Sequence, residues 1–178
     1  HAKVVPFVKI KRINRFLQNK DVYNRRFLKD FITYLGYEMK KRACFIQMHY
    51  TDITNNLKRF NPLKKIKNSQ LFDEIVIAAA DIEENKVLKD WAALWQVKIR
   101  FGDKENVLER FLEIAEELSV STVLSIIPSW YFLDLNYVKT LIFELESRSA
   151  DYINVPRDYD FRFSGDVFSV SFLEKLNS

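Results

Sequence analysis

Apolar residues recur with two different periods in this chain, and the period switches back and forth from Leu71 onward. Short unbroken apolar runs alternate there with longer stretches in which apolar residues return every three or four positions. The runs DEIVIAAA (73–80), VKIRF (97–101) and STVLSII (121–127) predict strands buried on both faces. ADYINV (150–155) and the stretch around RFSGDVFSV (162–170) predict further strands. Between them, 83–95 predicts a helix with Val87, Leu88, Trp91 and Leu94 on one face. Residues 105–118 predict a helix carrying Val107, Leu108, Phe111, Leu112, Ile114, Ala115 and Leu118. Residues 136–146 predict one carrying Val138, Leu141, Ile142 and Leu145, and 171–176 a last one.

Before Leu71 the pattern is less regular. Residues 24–41 predict an amphipathic helix with Phe27, Leu28, Phe31, Ile32, Leu35 and Met39 on a broad face and Asn24 as its N-cap. Residues 7–19 predict another helix, 43–49 a strand, and 55–69 a helix that Pro62 kinks or restarts. Strands alternating with helices of ten or more residues imply βαβ units. The expected fold class is therefore α/β, a mainly parallel three-layer sheet. The expected organisation is a basic helical extension over 1–42 followed by an α/β domain over 43–178.

Charge divides the chain near the same point. Residues 1–70 hold 17 Lys and Arg against 4 Asp and Glu, a net of +13, and residues 71–178 hold 11 against 20, a net of −9. Aromatics (Phe16, Tyr23, Phe27, Phe31, Tyr34) interleave the early cations, which suits a polyanion such as nucleic acid or an acidic protein partner. Their helical spacing better suits an apolar core beneath solvated cations. Composition closes other routes. Three glycines cannot build a glycine-rich phosphate loop, and one cysteine excludes a disulfide framework. No apolar run approaches a membrane span of about 18 to 20 residues, so the expectation is a cytoplasmic chain with no membrane partner.

Several constellations offer chemistry. His49 and Asp52 follow a strand and have the makings of an acid–base pair, though a histidine at a strand end is more often simply exposed. Cys44 lies in an apolar strand and is expected to be a buried, inert thiol. Asp151, Asp158, Asp160 and Asp166 have irregular spacing, which fits turn acidity better than a cation cluster. Pro128-Ser129-Trp130-Tyr131-Phe132 is an aromatic loop at a strand end, suited to stacking a base or, preferably, to plugging a site.

The segments KIKNSQLFDEIVIAAAD (65–81), RFGDKENVLERFLEIAEEL (100–118), FLDLNYVKTLIFEL (132–145), ADYINV (150–155) and DVFSVSFLEKL (166–176) occur in that order. Together they resemble the spore-coat-polysaccharide type of cytidylyltransferase, a branch of the sugar nucleotidyltransferases with a Rossmann-like, glycosyltransferase-A-like fold. The resemblance covers about 110 residues, from Ile66 to Leu176, and GDKENVLERF is its most specific block. It implies a nucleoside triphosphate, usually CTP, bound at the carboxyl ends of the strands, attack by a sugar oxygen on the α-phosphorus, and Mg²⁺ held by two aspartates.

Carried over position by position, Asp81 keeps the acidic residue after the second strand, and Arg110 keeps the arginine of Val-Leu-x-Arg. Asp134 keeps the later acidic residue. Lys58 and Arg59 stand near the place of the phosphate loop but lack its glycines and spacing. Ser129 and Ser164 stand where the resemblance implies the two metal aspartates, and Asp166 stands at a neighbouring glutamate. A hydroxyl is a poor replacement for a carboxylate on a hard cation. The expectation is a divergent cytidylyltransferase-like domain that is catalytically impaired and acts as a binding or scaffolding module. It has no assured cofactor, metal or catalytic residue. Two alternatives stand beside it. One is active Mg²⁺-dependent nucleotide-sugar synthesis with CTP as partner, Asp134 and Asp166 catalytic, and Asp81, Arg110, Lys58 and Arg59 binding substrate. The other is nucleic-acid or acidic-partner binding through residues 1–42. Family members usually continue beyond the point where this chain stops, so a trimmed domain is expected.

Overall fold

A computed structural model describes residues 40–54, 61–130, 132–153 and 159–177. The helix expected over 7–19, nearly all of that over 24–41, and Lys58, Arg59, Tyr131 and Asp158 lie outside the described residues.

In chain order the elements are β1 (Arg42–Gln47), α1 (Tyr50–Thr54), α2 (Asn61–Ser69), β2 (Glu74–Ala80), a 3₁₀ turn (Glu83–Val87), α3 (Leu88–Trp95), β3 (Lys98–Gly102), α4 (Val107–Glu117), β4 (Thr122–Ile126), α5 (Leu135–Ser147), β5 (Tyr152–Ile153), a second 3₁₀ turn (Phe161–Phe163), β6 (Asp166–Ser169) and α6 (Val170–Asn177). The strands form one sheet in the order β3-β2-β1-β4-β6-β5. β1 pairs in parallel with β2 and β4, and β2 with β3, whereas β6 runs antiparallel to both β4 and β5.

Alternation along β1 divides the core. Cys44, Ile46 and Met48 face a cluster with Leu63 and Ile66 of α2, Leu88 and Trp91 of α3, and Val138, Leu141, Ile142 and Leu145 of α5. Ala43 and Phe45 face the opposite cluster, with Phe111, Ile114 and Ala115 of α4 and Leu173 of α6. The class is a three-layer α/β sandwich, as the alternating runs predict. A strand covered on both sides has no polar face to show, so β1 and β2 read as continuous apolar runs.

Local rules explain most boundaries. Asn106 caps α4 by accepting from the Glu109 amide at 3.1 Å. Pro62 is the second residue of α2, so it starts the described helix and does not kink it. Gln70, Gln96, Ser119 and Ser149 take left-handed conformations just past α2, α3, α4 and α5. With only three glycines in the chain, these stops fall to residues that bear a Cβ, at about 1 kcal/mol each.

Some expectations need correcting. The stretch 83–95 is a 3₁₀ turn followed by a helix, which shifts the apolar face. Leu88 and Trp91 are buried, but Val87 is exposed and Leu94 is 78 % exposed. Leu108 is also exposed and does not enter the core. Helix α1 was not legible in the sequence, because YTDIT has no helical period and is only five residues long. The region around 162–170 holds a 3₁₀ turn and the short strand β6, and the described part of the 150–155 run forms only the two residues of β5.

Candidate functional site

The carboxyl ends of β1, β2, β3 and β4 lie along one edge of the sheet, and antiparallel β6 begins at that edge. Open α/β sheets use this edge for ligands. Gly165, which precedes β6, has φ +68°, and a Cβ there would stand 2.8 Å from the Ser125 carbonyl oxygen. Glycine is thus required both by the backbone angle and by the close approach to β4.

The turn after β1 is closed on itself. The His49 amide donates to Asp52 Oδ2 at 2.8 Å, and the Asp52 amide donates back to the His49 carbonyl at 2.9 Å. The Thr51 amide points to His49 Nδ1 at 3.4 Å, and Thr51 Oγ1 lies 2.9 Å from the same nitrogen. The Tyr50 amide donates to Asn85 Oδ1 at 2.9 Å. Asn85 is fully buried, and its Nδ2 donates to the Ala80 carbonyl at 2.9 Å, so one amide side chain ties the end of β2 to the start of α1. Four successive backbone N–H groups are therefore satisfied by protein acceptors, one of them a carboxylate. His49 and Asp52 form a helix start and not an acid–base pair: Asp52 grips the His49 backbone rather than its ring. Asn85 carries no motif signal in the sequence, since a buried asparagine inside EENKV looks like any polar turn residue.

The residues singled out from the sequence sit at this edge but each is held by its own local partner. Asp81, exposed at the end of β2, ion-pairs with Lys86, whose ammonium lies 4.4 Å from the Phe101 ring centroid. It does not cap the following turn. Arg110 is only 6 % exposed. Its stem crosses Gly102, where a Cβ would meet Arg110 Cγ at 2.8 Å, and its Nη1 donates to the Asp103 carbonyl at 2.5 Å. Burial pulls the guanidinium pKa below its ordinary value, and Asp103 opposes this. Arg110 Nε is buried without a partner among the described residues. Asp134 caps α5, accepting from the Asn136 and Tyr137 amides at 2.9 and 3.3 Å. Lys58 and Arg59 lie outside the described residues.

Asp166 belongs to a polar strip on one sheet face. Gln47 Nε2 of β1 donates to Ser125 Oγ of β4 at 2.9 Å, Ser125 is the register partner of Asp166, and the Tyr152 hydroxyl of β5 donates to Asp166 Oδ1 at 3.3 Å. Burial pushes the Asp166 carboxyl above the usual range, and the Tyr152 hydrogen bond offsets part of that. The other aspartates of the suspected cluster go elsewhere: Asp151 pairs with Lys175, and Asp160 with Arg162. Cys44 is fully buried, and burial pushes its thiol far above the ordinary range, so it is inert as expected.

The aromatic loop after β4 divides. Trp130 is buried in the core, whereas Phe132 is 69 % exposed. Phe132 stacks on Phe163 with centroids 5.9 Å apart, Phe163 meets the edge of Tyr159 at 6.0 Å, and Tyr159 lies 4.3 Å from Tyr137. Trp130 plugs, whereas Phe132 opens outward.

The two positions at which the resemblance implies metal aspartates carry hydroxyls, poor ligands for Mg²⁺. Ser129 is exposed in the turn after β4, and Ser164 is fully buried with its hydroxyl donating to the Gly165 carbonyl at 3.1 Å. Among the described residues no group of three or more His, Cys, Asp or Glu side chains converges.

No family model matches the chain, and no curated protein matches it in sequence. Among solved structures, the fold matches a cytidylyltransferase from Leptospira borgpetersenii serovar Hardjo-bovis (strain JB197) with a TM-score of 0.65 and 15 % identity, over 79 % of this chain and 64 % of that one. It also matches a 4-diphosphocytidyl-2C-methyl-D-erythritol synthase with a TM-score of 0.51 and 14 % identity, over 78 % of this chain and 86 % of that one. The chain thus spans less than two thirds of the length of the Leptospira protein. The domain has the Rossmann-like fold of the cytidylyltransferases.

Proposed function

We propose that this is a divergent cytidylyltransferase-like domain that has lost transfer chemistry and works as a binding or scaffolding module. The observation that carries this reading is the closed turn after β1. A triphosphate cradle needs free N–H groups and positive potential. Here the N–H groups of residues 49–52 are already bonded, and the Asp52 carboxylate among them repels an anion. The hydroxyls of Ser129 and Ser164, where the resemblance implies two metal aspartates, support the same reading, because phosphoryl transfer relies on charge neutralisation. The buried, protonated Cys44 is compatible with a reducing cytoplasmic setting. Lys41 and Arg42 are held by Glu74 and Glu146, so a polyanion contact at the start of the domain would fall to Lys40 and the basic residues before it.

Calorimetric titration of CTP with and without Mg²⁺, paired with a pyrophosphate-release assay on a panel of sugars, tests the proposal. The expected result is no Mg²⁺-dependent, base-selective binding and no pyrophosphate. Tight Mg²⁺-dependent CTP binding with turnover would overturn it and return attention to Asp134 and Asp166.

A further inference from the structure

The exposed ring cluster beside β4 has a chemistry of its own. Phe132 comes from the turn after β4, Tyr137 from the first turn of α5, and Tyr159 and Phe163 from the segment before β6. The Asp134 amide donates to the Phe163 carbonyl at 2.6 Å and pins the two segments together. Phe132 and Phe163 are 69 % and 37 % exposed, so their outer faces meet water.

Among the described residues one charge beside these rings has no counter-charge. Asp160 is neutralised by Arg162, but Asp134 uses only Oδ1 to cap α5, and its Oδ2 has no donor among the described residues. Asp134 also adds to the burial that pushes the Tyr159 phenol up, which places it beside the cluster. The faces of aromatic rings are electronegative, so rings with a free carboxylate attract a cation and disfavour a phosphate. Among the described residues neighbouring rings touch each other and leave no closed cage, so the geometry suits a long, flat or extended cationic side chain laid across them. The fold already holds one such contact, Lys86 over Phe101.

We infer that this cluster docks a basic segment of a protein partner, with an arginine or lysine side chain laid over Phe132 and Phe163 and its charge on Asp134. This names the partner class for the binding-module reading above and rests on it.

Fluorescence anisotropy tests it on the full chain, with a fluorescein-labelled peptide of alternating Arg and Gly and a matched Glu and Gly peptide. The Arg peptide is expected to bind saturably, and any binding of the Glu peptide, through the basic residues before the domain, is expected to be untouched by Phe132→Ala. Phe132→Ala and Asp134→Asn are each expected to weaken binding about fivefold. Asparagine still caps a helix, so Asp134→Asn removes the charge without removing the cap. Phe143→Ala, an exposed phenylalanine on α5, is expected to change nothing. No saturable binding of the Arg peptide, equal binding by Phe132→Ala, or displacement of the peptide by CTP overturns the inference. A chain that fails here and still releases no pyrophosphate loses only this inference, whereas one that turns over CTP loses the module reading as well.

Discussion

Asn85→Ala is the most informative single change, because one side chain joins two parts of the candidate site. The native amide makes two hydrogen bonds, to the Ala80 carbonyl and from the Tyr50 amide, both 2.9 Å. Two such bonds are worth about 2 kcal/mol net, and orphaned backbone partners add about 1 kcal/mol more where water cannot reach them. Ala80 and Tyr50 are partly exposed, which keeps that addition small. The expected loss is therefore about 2–3 kcal/mol, or roughly 5–10 °C in melting temperature for a domain of this size. Asn85→Asp separates the two bonds. It keeps the acceptor for Tyr50 but sets a carboxylate oxygen against the Ala80 carbonyl, so it should be at least as destabilising at neutral pH and recover in acid as it protonates. Urea denaturation followed by circular dichroism measures both variants, and amide hydrogen exchange at residues 49–52 reports the turn itself. An Asn85→Ala protein within about 0.5 kcal/mol of the parent, with unchanged exchange at these residues, refutes the clamp, since surface changes typically stay in that range.

Two further expectations concern β6. Because burial raises the Asp166 carboxyl pKa, its ionised form is disfavoured in the folded state, so stability is lost as pH rises from the ordinary carboxylate range through the raised value. Asp166→Asn removes that loss, and its stability advantage should be absent near pH 3 and grow towards pH 7 in thermal melts; a parent more stable than the variant at pH 7 contradicts this. Gly165→Ala forces a Cβ onto a left-handed backbone and against the Ser125 carbonyl, which should cost roughly 2 kcal/mol or more in chemical denaturation. A neutral result there would mean that β6 shifts freely along β4.

The resemblance in the sequence pointed to the fold that the structure has, and the runs from 73 to 146 fall where they were expected with boundaries displaced by a residue or two, except that the helix expected over 83–95 begins only at Leu88. Those runs are legible because burial on both faces and on one face leave different periods. The departures from the resembled pattern were legible too, as residue types: Ser129, Ser164 and a glycine-free stretch after β1. Their consequence was not. Whether a turn without glycine leaves its N–H groups open depends on Asp52 and His49 closing it locally, and on Asn85 arriving from 35 residues away. The irregular spacing of Asp151, Asp158, Asp160 and Asp166 already favoured turn acidity over a cation cluster, and the fold sends Asp151, Asp160 and Asp166 to three separate partners.

Local propensity and periodicity are properties of neighbours along the chain, so they were enough to establish the α/β class, the position of most elements and the burial of Cys44. Strand order, the antiparallel course of β6, the clamp at Asn85 and the outward-facing rings of Phe132 and Phe163 depend on contacts between residues far apart in sequence. No local preference encodes those. They follow from which arrangement buries both faces of the sheet while pairing the polar groups left at its edge.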